Sequence, residues 1–451
     1  MTDLFAARSQ MAASLGFHII FACIGIAMPL LMVVAERRWQ VTGDALYLDL
    51  AKRWSKGTAI MFAVGAVSGT ILSFELGLLW PGFMEFAGPI IGMPFSLEGF
   101  AFFVEAIFLG VYLYGWDRIP PRAHLWAGVL VAVSGALSGI FVVIANAWMN
   151  APTGFTMVDG RPTGIDPIAA LMTPAAFSQT LHMTLAAYAA TAFAVAGVHA
   201  FMLLRDGRNL FHRRALELAL WVAVPASLAQ PLSGHHSAQF VAEHQPAKLA
   251  AMEALFTTTA GAPLLIGGLP DEATGTVRYG LEIPKGLSFL AFNDVDATVR
   301  GLDAIPRDEW PHVTTVHLSF QLMVACGSAM ALVALWALLR AVRRQPLNAS
   351  PWFLRAVLAM TPLGFVATEA GWMVTEVGRQ PWIIHGVLRT AEAVTPMPGL
   401  VWPLVFFLAL YALLAVAVAF LLWRQIVKSP DVAEWRRHYV PAARPAEAPA
   451  G

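Results

Sequence analysis

Nine long, mostly apolar stretches constrain this chain more than any other feature. They lie at 14–35, 57–79, 95–115, 125–145, 176–203, 216–233, 313–339, 353–377 and 400–423. A helix needs about 20 such residues to cross the hydrocarbon core of a bilayer. Inside that core every backbone N–H and C=O must be satisfied within the segment, which favours helices. A membrane β-barrel would show short alternating segments instead, and none of these stretches alternates. The sixth is short and carries Pro225 and Pro231, which a membrane helix tolerates where neighbours satisfy the freed carbonyls. The expected fold is all-α: a polytopic membrane protein, a bundle of nine transmembrane helices. Composition agrees, with 58% hydrophobic and 13% charged residues, against about 25% charged in an ordinary soluble domain. The 29 Lys+Arg balance the 29 Asp+Glu, so no net field draws in nucleic acid. The two cysteines, Cys23 and Cys326, sit in apolar runs and offer neither a disulfide framework nor a Cys-based metal site.

Charge distribution orients the bundle. The first stretch is not a cleaved signal peptide, because Arg37 and Arg38 follow it and only Arg8 precedes it. Alternate connections 36–56, 116–124, 204–215, 340–355 and the tail hold 20 Lys/Arg, against 9 on the other side. Five of those 9 lie in the long segment 234–312, and long loops cross regardless of charge. The expectation is N-out/C-in. Residues 1–233 carry helices one to six, 234–312 a long, largely polar outer loop, 313–424 helices seven to nine, and 425–451 a cytoplasmic tail.

Ionisable residues inside membrane spans are costly, so each is a candidate functional group. Here they are His18, Glu75, Glu98, Glu105, His182, His199, Glu217, Glu369 and Glu376, with Met323 as a soft donor. Each also has a structural reading: a hydrogen-bonded histidine, a packing methionine, a carboxylate capping a helix end. In the expected topology His18, Glu98, His182, Met323 and Glu376 all fall in the outer half of the bilayer. Two imidazoles, a thioether and carboxylates at one depth form a candidate set of haem axial ligands. Zinc fits less well, since no helix carries a close ligand pair in a recognisable spacing. Glu98 and Glu105 are two turns apart on one helix face and could relay protons, or each could make one inter-helix hydrogen bond. Arg379 could neutralise a carboxylate or a haem propionate, or anchor the interface.

These residues sit in runs that resemble subunit I of the cytochrome bd-type quinol oxidases. The runs are SLGFHIIF around His18, PFSLEGFAFFVEAIFLG around Glu98 and Glu105, IANAWMNAPTG at 144–154, SQTLHMTLAAY around His182, KLAAMEALFTT at 248–259, FQLMVACG around Met323 and EAGWMVTEVGRQPW at 369–382. The resemblance implies that His182 and Met323 are the axial ligands of a low-spin haem b fed by quinol. It implies that His18 and Glu376 are ligands in a neighbouring high-spin pair, a haem b with a haem d or a third haem b. Glu98 would lie at the oxygen-reducing haem, Glu105 on the proton path to it, and Trp372 between the low-spin haem and that pair. Lys248 and Glu253 match the residues that contact quinol in the outer loop, the Q-loop, here of the short type. Gln321 stands where some members carry an Arg beside the low-spin haem. The segment 234–247, GHHSAQFVAEHQPA, resembles the cyanide-insensitive branch.

The implied enzyme is a quinol:oxygen oxidoreductase of the bacterial cytoplasmic (inner) membrane. It would oxidise ubiquinol or menaquinol at the outer face, reduce O2 to water with protons taken from the cytoplasm, and so generate proton motive force. Glu253 would accept quinol protons, with Lys248 tuning its charge. Partners would be subunit II, a small single-helix subunit and membrane lipid. Two rivals are a proton-coupled transporter, which usually shows inverted repeats and broken helices, and a di-haem cytochrome b without oxygen chemistry, which wants His pairs on the same helices. Neither pattern is visible here.

Overall fold

The computed structural model describes residues 2–427. The part of the expected tail beyond 427 lies outside the described residues. Among them, nine helices are long and apolar enough to cross a membrane. They run Asp3–Thr42, Ala45–Leu79, Pro81–Tyr114, Pro121–Asn150, Ala176–Arg205, Leu210–His244, Val313–Val342, Pro351–Val377 and Val401–Val427. Each matches one expected stretch to within a residue or overruns it. At 1.5 Å per residue the 40-residue first helix is about 60 Å long, so its polar ends stand well clear of a hydrocarbon core about 30 Å thick.

Local chemistry sets the ends. Gly43, at φ +68°, caps the first helix in the left-handed region, and the Asp44 side chain accepts from Leu46 N–H to start the second. Only the buried Trp80 separates the second and third helices, with Pro81 at the first helical position, where its missing N–H costs nothing. The sixth helix departs most from expectation. It continues past 233 to His244, through residues expected to be loop. That extension is held by tertiary packing: Ala242 is buried against Leu249, Ala262 and Leu287. It stops at Gln245 because Pro246 disfavours helical geometry in the residue before it.

Small residues bring the helices close. Ala192, Ala196, Ala219 and Ala223 of the fifth and sixth helices pack with Met330, Val333, Phe353 and Val357 of the seventh and eighth. The fifth and eighth approach so closely that a Cβ on Gly364 would fall 2.4 Å from Ala190 Cα, and one on Gly197 1.8 Å from Thr361 Oγ1. Such contacts are how membrane helices associate without a hydrophobic driving force. A second core joins the first four helices to the sixth through Leu31, Leu50, Tyr112, Val131 and Ala215.

The long loop is more ordered than its polar composition implies. It holds a helix Pro246–Met252, an antiparallel hairpin Leu264–Asp271/Thr276–Ile283 in register Leu264↔Ile283, and a helix Gly286–Phe292. Its apolar residues cluster: Met252, Leu265 and Leu302 share one small core with Val316 of the seventh helix.

Candidate functional site

The two span histidines are set by the same device. His18 Nδ1 lies 2.9 Å from Ser68 Oγ on the second helix. The single Ser68 hydroxyl proton goes to the carbonyls of Val64 and Gly65, at 3.0 and 3.1 Å. Its oxygen therefore accepts from His18 Nδ1–H, which leaves Nε2 with the bare lone pair. His182 repeats the arrangement: Nδ1 is 2.9 Å from Ser233 Oγ, and that hydroxyl donates to Gln230 O at 2.9 Å. The serine contacts hold each ring in the tautomer with its lone pair on Nε2, the support typical of a metal-ligating histidine, and at His182 the Gln230 side-chain amide donates toward that Nε2 at 3.2 Å. Glycines flank both: a Cβ on Gly69 would come within 3.0 Å of the His18 ring, and one on Gly234 within 3.3 Å of His182 Cε1.

Met323 of the seventh helix meets Gly371 of the eighth, next in the chain to Trp372. A Cβ on Gly371 would fall 3.0 Å from Met323 Sδ. Trp372 packs against Ile19 and Cys23 of the first helix and Met183 and Ala187 of the fifth. It therefore stands between the segments that carry His18 and His182, and its buried indole N–H has no protein partner. Glu105 is buried between the first and fourth helices: a Cβ on Gly135 would lie 3.1 Å from its Oε1, and one on Gly25 3.8 Å. Glu98, two turns nearer the Q-loop end, is half-buried with Ser138 of the fourth helix in reach.

At that same end Glu376, Arg379 and Lys248 form one cluster. Arg379 Nη2 donates to Glu376 Oε2 at 2.5 Å, and Asn146 Nδ2 donates to the other carboxylate oxygen. Lys248 Nζ donates to Asn150 Oδ1 at 2.7 Å, and Asn150 Nδ2 donates to Asn146 Oδ1. Arg379 is only 3% exposed, and its Nε and Nη1 have no protein partner. Burial, then the adjacent Arg379 charge, lowers Lys248 to about 7. Burial, with Lys248 and Arg379 close by, lowers His385 to about 4, so its imidazole is neutral at physiological pH.

Glu253 stands apart from this cluster. It is buried just past the Pro246–Met252 helix, and burial raises it to about 7, with the Leu265 backbone N–H opposing. Among the described residues no ion pair joins it to Lys248, whose amine is turned to Asn150. The expectation that Lys248 tunes Glu253 is therefore corrected: desolvation and the hairpin backbone set that carboxyl. Gln321, too, is turned to the hairpin, where it bonds the backbone of Leu265 and Gly267.

Sequence reasoning missed Ser68, Ser233, Asn146, Asn150 and His385. The first four are neutral and pass a search for ionisable groups in lipid, although both asparagines lie in the 144–154 run. His385 lies outside the spans. The donor set fits haem: two imidazoles with their lone pairs on Nε2, a thioether, a carboxylate with both oxygens hydrogen-bonded, and a buried guanidinium with two nitrogens that have no protein partner.

A profile of the family described as "Cytochrome bd terminal oxidase subunit I" matches residues 6–430. The chain belongs to that family. It is similar to the bd oxidase structure from Geobacillus thermodenitrificans, with TM-score 0.90 and 40% identity over 95% of this chain and 99% of that one. A Bacillus subtilis (strain 168) relative named "Cytochrome bd ubiquinol oxidase subunit 1" is 34% identical, covering 96% of this chain and 95% of its own length. A second relative from the same strain, with "cytochrome bd menaquinol oxidase subunit I" in its name, is 40% identical over 95% of this chain and 98% of its own. This cytochrome bd-type subunit I is accordingly the multi-span membrane subunit of a terminal quinol oxidase, a haem-bearing respiratory enzyme that works with other subunits.

Proposed function

We propose that this subunit oxidises quinol at its Q-loop end, which faces outward, and reduces oxygen with protons drawn from the opposite side. His182 and Met323 would hold a low-spin haem b. His18 and Glu376 would hold the high-spin pair, a haem b with a haem d or a third haem b. The haems, when bound, supply electron transfer and the centre of oxygen reduction. The observation that carries this reading is the buried Arg379, which bonds Glu376 with one nitrogen and presents two further donors without protein partners. A buried cation with spare N–H groups beside a carboxylate ligand suits the propionates of a haem.

The chain's own residues then do the proton work. Quinol reaches the Q-loop from the membrane, and Glu253 accepts a hydroxyl proton, its affinity already near the working pH. That proton leaves on the outer side. Glu105, buried among helices, passes protons along its helix face to Glu98, near the oxygen-reducing centre. Release outside and uptake inside move charge across the membrane and sustain a proton motive force. Subunit II and a small single-helix subunit would complete the assembly in the inner membrane, with ubiquinol or menaquinol as donor.

His182→Ala tests the assignment. The expected outcome is loss of the low-spin haem band and of quinol oxidation, because no water replaces an axial ligand in a dry span. An unchanged reduced-minus-oxidised spectrum of the purified variant would sink it.

A further inference from the structure

His317 and Gln321 lie one turn apart on the same face of the seventh helix. His317 is fully buried. Its Nδ1 is 2.8 Å from Met252 O, the residue before Glu253, and its Nε2 is 3.0 Å from Gly267 O in the hairpin. Gln321 Oε1 accepts from Gly267 N–H at 2.9 Å, and its Nε2 donates to Leu265 O at 3.0 Å. Gly267 N–H is thus held by Gln321, and its C=O is one of two carbonyls facing the His317 ring, which donates to one of them as a neutral imidazole and to both only as an imidazolium. Gly267 sits at φ +68°, where a side chain would be strained. Leu265 is held at its C=O by Gln321, while its N–H serves the Glu253 carboxyl.

We propose that His317 and Gln321 are positioning residues for quinol oxidation, a two-residue clamp that fixes Glu253 and the hairpin to the helix carrying Met323. The proposal rests on the reading that Glu253 meets quinol. Without the clamp, neither the residue before Glu253 nor the strand whose N–H orients its carboxyl has a tie to the seventh helix from these two side chains. Gln321 spends its amide on the hairpin rather than on a haem. It can do so because one amide both donates and accepts, whereas a guanidinium only donates.

The test uses the complete oxidase with its partner subunits and the variants His317→Leu, Gln321→Ala and Glu253→Gln. Steady-state turnover is measured with quinol and with a soluble artificial electron donor, beside the reduced-minus-oxidised haem spectrum. Losing one or two hydrogen bonds predicts a quinol KM raised on the order of tenfold in each clamp variant, with artificial-donor turnover and haem bands unchanged. If Glu253→Gln impairs quinol oxidation while the clamp variants keep their quinol KM, the clamp is overturned and the Glu253 reading stands. If Glu253→Gln leaves quinol kinetics unaltered, that reading falls and takes the proposal with it. Should His317→Leu fail to assemble, Gln321→Ala, at a half-buried position, decides on the same readouts. Loss of haem bands or of artificial-donor turnover in Gln321→Ala would overturn the positioning role in favour of a purely structural one.

Discussion

At His18 and His182 a serine hydroxyl, not the histidine itself, decides which ring nitrogen carries the lone pair. Chemistry at this scale is carried by neutral helpers: Ser68, Ser233, Asn146 and Asn150 orient the groups that titrate or ligate. Candidate ligands stood out in the sequence because an ionisable group in lipid is expensive. Their helpers did not, because Ser and Asn are common in spans, and only the fold says which of them faces an imidazole. Glu253 is the residue whose behaviour is most exposed to test. A carboxylic acid accepts a proton only when ionised, and burial raises Glu253 to about 7. Quinol kcat/KM should therefore rise as pH increases through about 7 and level off above it. Lys248 loses its charge over the same interval, so variants must separate the two. A pH profile that keeps its rise in Lys248→Met and loses it in Glu253→Gln is the expected result. A rise surviving in Glu253→Gln would move the base elsewhere.

Among the helices, position was legible and extent was not. Runs of about 20 apolar residues located all nine, since the bilayer imposes that length. The end of the sixth helix was hidden, because 234–244 is polar and its helicity depends on Ala242 packing under the loop. The hairpin was hidden for a related reason: Leu265 and Gly267 are fixed by side chains of a helix some 50 positions away in the chain. Spacing between elements rests on missing side chains. Gly364→Val would drive new carbons into the Ala190 backbone, which a Cβ alone already approaches to 2.4 Å. Overpacking of this kind costs about 1–3 kcal/mol. A lower thermal midpoint in detergent, with the fifth and eighth helices forced apart, is expected. A variant melting like the parent would show that the crossing relaxes freely.

For the molecule as a whole, the arrangement of bases, 20 on one side against 9 on the other, predicts which end faces out. The Q-loop hairpin tip and the connection between the seventh and eighth helices lie at opposite ends of the seventh helix. Tyr279 is 87% exposed on that hairpin and Arg343 is exposed at the other end. In a background without Cys23 and Cys326, Tyr279→Cys should react with an impermeant thiol reagent on intact spheroplasts, and Arg343→Cys only after permeabilisation. The reverse pattern would invert the bundle and the direction of proton movement with it. An orientation can be read from sequence at all because loop charge is a one-dimensional property. The meeting of Met323 with Gly371 cannot be read that way, since it depends on how the seventh and eighth helices pack.

Helix spacing also bears on speed. Electron tunnelling weakens steeply with separation, and the fifth helix carries His182 while the eighth carries Trp372 and Glu376. Where Gly197 meets Thr361 and Gly364 meets Ala190, the glycines put no side chain of their own between the two helices. On the proposed ligand assignment, the spacing of the helices that carry His182 and Glu376 is set a few turns away from both residues, by two glycines.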